Sequence, residues 1–375
     1  MAVKVVVRNN KQIIVPLRFG RAVDGAPVID APDVDDRGFA MGNRPGTWGS
    51  TNARGAMVGI TAGDTVRIKL RREDIDDFGK LKLFATSSDT NVVTVVDSDQ
   101  QIGAEGIFSI KGLVDVISTP VKIQIHMNST TGPVLAEMEP HIFQLRQLRT
   151  VAHLVTITGA GGSVKTTRTA QDLVDLFNQV NAIWRAAGVE FTYNPAEIRD
   201  GAADTIHLAT AGIVTTNLAA GQAPEFDRLM NLNKANGAVN VYCVHGSQDP
   251  SGWDGLTSAK DANPAAFGSA LVDGEQQGQR PLGAQASAMV LAHELGHYLD
   301  LQHYNENAAG TTVRSDIWTE RRLMDAAFPS QDPPYHFNVG YGDGQQGVVI
   351  DLKCLRGDPT DGDLAVARRR SLDAV

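Results

Sequence analysis

Three histidines and a glutamate stand within one short run of this 375-residue chain, HELGHYLDLQH, which contains His293, Glu294, His297 and His303. On a helix, residues four apart share a face, so His293 and His297 can offer two imidazole nitrogens to one ion. Glu294, beside the first of them, can reach a water on that ion. His303 can add a third nitrogen if the helix ends near Asp300 and the chain turns back. Three protein ligands and one open position is the pattern of a catalytic zinc site, whereas a structural zinc is normally closed by four. With nine histidines in the chain, an H-E-x-x-H run arises by chance in about one chain in a hundred. The plain alternative is an amphipathic helix with surface histidines.

The run resembles the extended zinc motif of the metzincin metalloproteases, H-E-x-x-H-x-x-G-x-x-H. One position departs, because the family's Gly is Asp300 here. Gly serves at that turn because positive φ costs it nothing. Asp is among the next most tolerant residues, so the turn stays feasible at some strain. Asp300 is itself a rival oxygen ligand to His303. Downstream, the RLMD segment at 322–325 is similar to the family's Met-turn, and the stretch 293–324 reads most like the pappalysin-type branch. The resemblance implies Zn²⁺ held by His293, His297 and His303, with Glu294 as general base in endopeptide hydrolysis. The substrate would be a protein or peptide. Met324 would pack beneath the ligand imidazoles without bonding to the metal. Residues 329–347 would shape the pocket for the side chain after the scissile bond, with Tyr335, His336 and Tyr341 as contacts. The substrate would lie antiparallel to an exposed edge strand. That points to 253–258 (WDGLTS), although Gly252 and Gly255 suit a surface loop equally well.

The elements that must position this run are legible around it. The β-branched stretch 151–158 (VAHLVTIT) predicts one buried strand. A glycine-rich turn follows at 159–163, where no Lys-Ser/Thr stands at the spacing a phosphate loop requires. Apolar residues at Leu173, Val174, Phe177, Val180, Ile183, Trp184 and Ala187 fall at helical spacing across 169–187. Thr169 with Asp172 resembles a capping box, and Gly188 is a stop. Further strands are expected at 189–193, 204–209, 238–244 and 268–272, the last just before the zinc helix. The expected fold for 149–375 is therefore an α+β metzincin-like domain with a mixed, mostly parallel sheet and a metal-bearing active-site helix.

Residues 1–148 have a different grain. Val66, Ile68 and Leu70 alternate with Arg67, Lys69 and Arg71, and Val121, Ile123, Ile125 and Met127 alternate with polar neighbours. That period of two predicts half-buried antiparallel strands. Gly63-Asp64, 87–89 and 131–133 are turn signals, and 31–56 reads as a long loop. The run 85–95 (ATSSDTNVVTV) is similar to bacterial Ig-like domains, in which such a run bridges two strands. The resemblance implies a β-sandwich acting as a spacer, a substrate-positioning module or an adhesive unit. His126 and His141 lie outside the zinc motif and are expected at the surface.

Composition bounds the rest. Lys plus Arg total 34 against 43 Asp plus Glu, a net charge of −9, which argues against nucleic acid as the default partner. No apolar stretch reaches the ~18 residues that span a bilayer. The first residues (MAVKVVVRNNK) lack a signal-like apolar run. The expectation is cytoplasmic synthesis, with export by a dedicated machine if the protein acts outside. Cys243, in an apolar strand, reads as a buried thiol, and a bridge to Cys354 stays open. Of the acidic turns at 343–344 and 358–363, the second lacks an EF-hand's spacing and its terminal Glu, and both read as solvated turns rather than calcium sites. Arg368, Arg369 and Arg370 read as a solvated helix end. Two other readings stay open. One is an Ig-like binding or adhesion protein whose zinc site is structural or vestigial, and the other is a secreted toxin-like effector protease. Oligomeric state is not legible.

Overall fold

The computed structural model describes residues 3–8, 11–16, 18–22, 34–35, 56–71, 81–97, 100–115, 121–159, 162–208, 224–245, 255–258, 268–272 and 284–299. Among them the chain is β-rich, with twenty strands and three α-helices. It divides into two compact units, the first built on Met1–Leu145 and the second beginning at Arg146. No helix among the described residues is long and apolar enough to cross a membrane.

The first unit opens with an antiparallel pair, β1 (Val3–Arg8) and β2 (Lys11–Pro16). Ten strands follow: β3 (Arg18–Ala22), β4 (Val34–Asp35), β5 (Ala56–Thr61), β6 (Thr65–Arg71), β7 (Leu83–Ser87), β8 (Val93–Val95), β9 (Gln101–Ile102), β10 (Ile107–Gly112), β11 (Ile123–Met127) and β12 (Val134–Phe143). They form two five-stranded sheets, ordered β4-β3-β6-β10-β8 and β5-β12-β11-β7-β9. Ile68, Leu70, Phe108 and Ile110 of the first sheet share one core with Ile60, Leu83, Ile123 and Ile125 of the second. The period-two pattern produces this directly, since alternate residues point to opposite faces. Each such buried side chain contributes about 1.5–3 kcal/mol. The run 85–95 passes from β7 in one sheet to β8 in the other.

The alternating strands pair antiparallel as expected, β6 with β3 and β10, and β11 with β7 and β12. In addition β12 pairs parallel with β5, Met138 opposite Ala56 through Phe143 opposite Thr61. Parallel neighbours need a long connection, and more than seventy residues separate these two strands in the sequence. One expectation fails in this unit: His126 is not a surface residue. It is buried, with Nε2 2.9 Å from Thr86 Oγ1 and Nδ1 2.8 Å from the Gly132 carbonyl. The ladder slips past Leu135 at this point, and the turn before β12 closes over the imidazole. His141 is only half-buried.

The second unit contains β13 (Arg146–Leu154), β14 (Thr156–Gly159), β15 (Gly162–Lys165), α1 (Ala170–Trp184), β16 (Val189–Tyr193), β17 (Thr205–His207), α2 (Pro224–Met230), β18 (Val239–Val244), β19 (Gly255–Ser258), β20 (Gly268–Val272) and α3 (Ala284–Tyr298). The main sheet is ordered β16-β13-β18-β20-β19. Its first four strands are mutually parallel, and β19 runs antiparallel to β20. The apolar run at 151–158 is two strands rather than one. The chain leaves the main sheet after Leu154 and enters a small sheet ordered β15-β14-β17, while the Val155 amide still donates to the Cys243 carbonyl. Val155 and Ile157 are buried like the residues before Val155, so the apolar run continues across the break and does not mark it.

Helix α1 begins as its capping signal requires. The Thr169 amide donates to Asp172 Oδ2 at 2.7 Å and the Asp172 amide to Thr169 Oγ1 at 3.2 Å, satisfying donors that a helix start leaves unpaired. A 3₁₀ turn at Arg185–Ala187 and Gly188 at φ 65° end it. Leu173, Leu176, Phe177, Val180, Ile183 and Trp184 form its buried stripe. Helix α1 packs on α3, and Trp184 Nε1 donates to the Ala292 carbonyl at 3.2 Å. Helix α2 covers a separate core in which Phe226, Leu229 and Met230 meet Val155, Ile157, Tyr242 and Val244.

Candidate metal centre

Helix α3 carries His293, Glu294 and His297. It is buried on more than one side: Ala288, Leu291, Ala292 and Leu295 are fully covered, as is Ser287. A helix apolar almost all round belongs in a protein interior. Polar residues on it are therefore exceptions that need a reason. His293 is buried and His297 half-buried. Their ring centroids lie 4.7 Å apart with the planes at 87°. Two imidazoles that share one zinc, each bonded through nitrogen at ~2.0–2.1 Å, stand at this order of separation. The pair thus fits two positions of a zinc site. No group of three His, Cys, Asp or Glu able to hold a metal occurs among the described residues. His303 and its rival Asp300, the sequence candidates for the third position, lie outside the described residues. So do Met324, Tyr335, His336, Tyr341 and Cys354.

Glu294 is 6% exposed. Burial pushes its carboxyl up to about 8, opposed by a hydrogen bond from the Thr257 side chain. This is the behaviour of a carboxyl taken out of water. Strand β19 lies directly against this residue. Thr257 Oγ1 donates to the Glu294 carbonyl at 2.9 Å and sits 2.9 Å from Ser269 Oγ on β20. At Gly255, a Cβ would stand 2.6 Å from Glu294 Cγ and 2.6 Å from Val290 Cγ1. β19 is the terminal strand of the main sheet among the described residues, in the segment where an edge strand is expected. Sequence reasoning gave Gly255, Thr257 and Ser269 no role. The only available signal was the alternation in GLTS.

A second buried histidine, also missed, lies on β13. His153 Nδ1 is 3.0 Å from Asp204 Oδ1 and Nε2 is 3.0 Å from Asn240 Oδ1. Its ring stacks on Tyr242 at 4.3 Å. Asn240 is held in turn: its Oδ1 accepts from the Ala235 amide, and its Nδ2 donates to the Ala235 and Ala238 carbonyls. Asp204 accepts from Asn233 Nδ2 and from the Gly201 amide. Arg199 Nη1 donates to Asn233 Oδ1 at 2.9 Å, and Asn233 sits at φ 45°, a conformation Asn tolerates. Burial lowers the His153 pKa, and the hydrogen bonds to Asp204 and Asn240 oppose that shift.

No family model matches the chain, and no curated protein matches it. Among solved structures, mirolysin in complex with compound 9 is similar at 12% identity and TM-score 0.28, over 44% of this chain and 66% of that one. Domains 4 and 5 of the S-layer protein SbsC are similar at 18% identity and TM-score 0.18, over 23% of this chain and 46% of that one. A longer SbsC structure, rSbsC(31–844), is similar at 17% identity and TM-score 0.19, over 25% of this chain and 12% of that one. At these TM-scores the likenesses carry no argument about this chain.

Proposed function

We propose that this chain is a zinc-dependent endopeptidase of the metzincin type whose reaction centre is on α3. One observation carries the reading: two imidazoles one helical turn apart meet at 4.7 Å, with a buried carboxylate residue between them in the sequence. His293 and His297 would hold the metal, with His303 as third ligand. When bound, zinc supplies Lewis acidity toward a carbonyl oxygen and lowers the pKa of a coordinated water. A cation held by the two imidazoles would oppose the burial that raises the Glu294 carboxyl and favour its ionised form; Glu294 then takes a proton on a carboxylate oxygen as water attacks and delivers it to the leaving amine nitrogen. A site that only holds a metal has no use for that residue.

An extended peptide would pair antiparallel with the outer edge of β19, gaining main-chain hydrogen bonds without sequence preference. Side-chain preference would then come from pockets, including contacts from Tyr335, His336 and Tyr341. Met324 would support the ligand imidazoles. The first unit is an Ig-like module that positions substrate or spaces the catalytic unit from a surface.

The test is cleavage of a diverse peptide library by the full chain and by Glu294→Ala at equal zinc content. Cuts made by the wild type and absent from the variant are the expected result. Equal cutting by both proteins would remove Glu294 from the chemistry. No cutting by either, with zinc bound, would leave the binding-protein reading as the better one.

A further inference from the structure

Strand β19 is only four residues long, and its alternation is informative. Successive side chains of a strand point to opposite faces. Leu256 packs into the core that α2 covers. Gly255 and Thr257 therefore share the other face, and their contacts are with α3. At Gly255 the approach leaves no room for a side chain: a Cβ would stand 2.6 Å from Glu294 Cγ, 2.6 Å from Val290 Cγ1 and 3.0 Å from Glu294 Oε1. The strand backbone thus forms one wall of the slot holding the Glu294 side chain. Gly is required there for space, since this is a point where backbone must come close to a functional group.

Thr257 fixes the same strand from the next position on that face. Its hydroxyl lies 2.9 Å from the Glu294 carbonyl and 2.9 Å from Ser269 Oγ. A hydroxyl has one proton to donate, and a carbonyl can only accept. The Thr257 hydroxyl is thus within hydrogen-bond distance of both the helix carbonyl and the Ser269 hydroxyl. Thr257 and Ser269 are directly paired in the β19–β20 ladder, and Ser269 is fully buried. The chain of hydroxyls Ser269, Thr257, Glu294 carbonyl ties sheet edge to helix at the residue proposed as proton carrier.

We infer that Gly255 and Thr257 are positioning residues for Glu294, so that the strand proposed to receive the substrate also fixes the carboxylate that handles the proton. The inference rests on the endopeptidase reading for its catalytic consequence. Its structural part, the clamp of β19 on α3, stands apart from activity. A mispositioned carboxylate costs rate at the chemical step, whereas metal affinity depends on other contacts.

The experiment uses the full chain and three variants, Gly255→Ala, Thr257→Val and Thr257→Ser. Each is assayed for kcat and KM, for zinc affinity by chelator competition, and for amide hydrogen exchange of 290–298 in the zinc-free protein. Gly255→Ala is expected to lower kcat about 100-fold, the effect of displacing a catalytic group by about 1 Å. Zinc affinity should stay within about two-fold, and the loss should fall on kcat more than on KM. Thr257→Val should lower kcat about ten-fold, and Thr257→Ser should restore it. Exchange across 290–298 should quicken about ten-fold in Gly255→Ala and in Thr257→Val, and stay near wild type in Thr257→Ser. Unchanged exchange in both Gly255→Ala and Thr257→Val would overturn the clamp, whatever the activity. A kcat loss matched by an equal loss of zinc affinity would also overturn it, since that marks general damage to the helix. If the wild type cleaves nothing, the endopeptidase reading fails, and exchange alone then decides the clamp.

Discussion

The second unit contains two buried histidine–carboxylate constellations, assembled in opposite ways. His153 sits on a central strand between Asp204 and Asn240, and its partners are themselves held by Gly201, Asn233, Ala235 and Ala238. The polar atoms of Asp204 and Asn240 are engaged by fixed neighbours, the condition under which a buried polar network rigidifies a fold. His293, Glu294 and His297 sit on one helix, with one imidazole half-exposed and the carboxyl wedged against a strand that has no side chain to spare at Gly255. The first arrangement is fully buried, and the second is only half-buried at His297. The same residue types give a structural pin when buried at the centre of a sheet, and a candidate for chemistry when two imidazoles meet one helical turn apart and one of them stays half-exposed.

This contrast predicts a double dissociation. Glu294→Gln should reduce peptide hydrolysis by about 10⁴-fold while leaving zinc content unchanged and thermal stability equal or higher, because a desolvated carboxyl is replaced by a neutral amide of the same shape. Activity retained within ten-fold would break the contrast at its more important end. Asp204→Ala should do the reverse. It removes the acceptor of Asn233 and Gly201 in a buried setting, and unfolding in urea should show a loss of about 3 kcal/mol. The fraction still folded should keep its kcat. A kcat loss in folded Asp204→Ala would mean that the two constellations are coupled.

The two differ equally in how far the sequence discloses them. The α3 pair is spelled out by one helical repeat, so His293 and His297 could be placed on one face from spacing alone. The α1 cap at Thr169 and Asp172 was legible for the same reason. The His153 network draws on residues 153, 204, 233 and 240, and no local period connects these. His153 and Asn240 meet because β13 and β18 are neighbours, while Asp204 and Asn233 come from the segments just before β17 and just after α2. The parallel β5–β12 pair and the burial of His126 escaped for a related reason, since alternation fixes which residues share a face but not which strand lies alongside or where a ladder slips. Gly255 could be read as loop chemistry, because what demands a glycine there is a carboxylate thirty-nine residues away.

Acidity probes the closed constellation. The unfolded chain protonates His153 near its ordinary value of 6.5, whereas burial holds the folded ring neutral to lower pH, against the pull of Asp204 and Asn240. The unfolded state therefore takes up this proton first. The contribution of His153 to stability is intact above 6.5, falls as pH drops below it, and levels off once the folded ring also protonates. The slope is at most ~1.4 kcal/mol per pH unit for one proton. Urea midpoints of wild type and His153→Gln compared between pH 7.5 and 5 would isolate it, and the variant should lose that part of the slope. A slope of opposite sign would mean that the hydrogen bonds to Asp204 and Asn240 outweigh burial.

The smallest effect concerns the scaffold that carries the open constellation. Trp184 Nε1 donates to the carbonyl of Ala292, the residue immediately before His293, and the ring is fully buried at the α1–α3 contact. It also meets Phe191 edge-on at 6.0 Å. Trp184→Phe keeps most of the apolar area and removes the donor, leaving the Ala292 carbonyl to its intrahelical bond. Stability should fall by about 1 kcal/mol for the lost hydrogen bond, with a further small term for the volume removed. Zinc affinity should change little if Trp184 only anchors the helix. A change in zinc affinity beyond about five-fold, at unchanged secondary structure, would mean that the α1–α3 contact sets the register of His293. The proposed metal site would then depend on the scaffold as strongly as the closed network does.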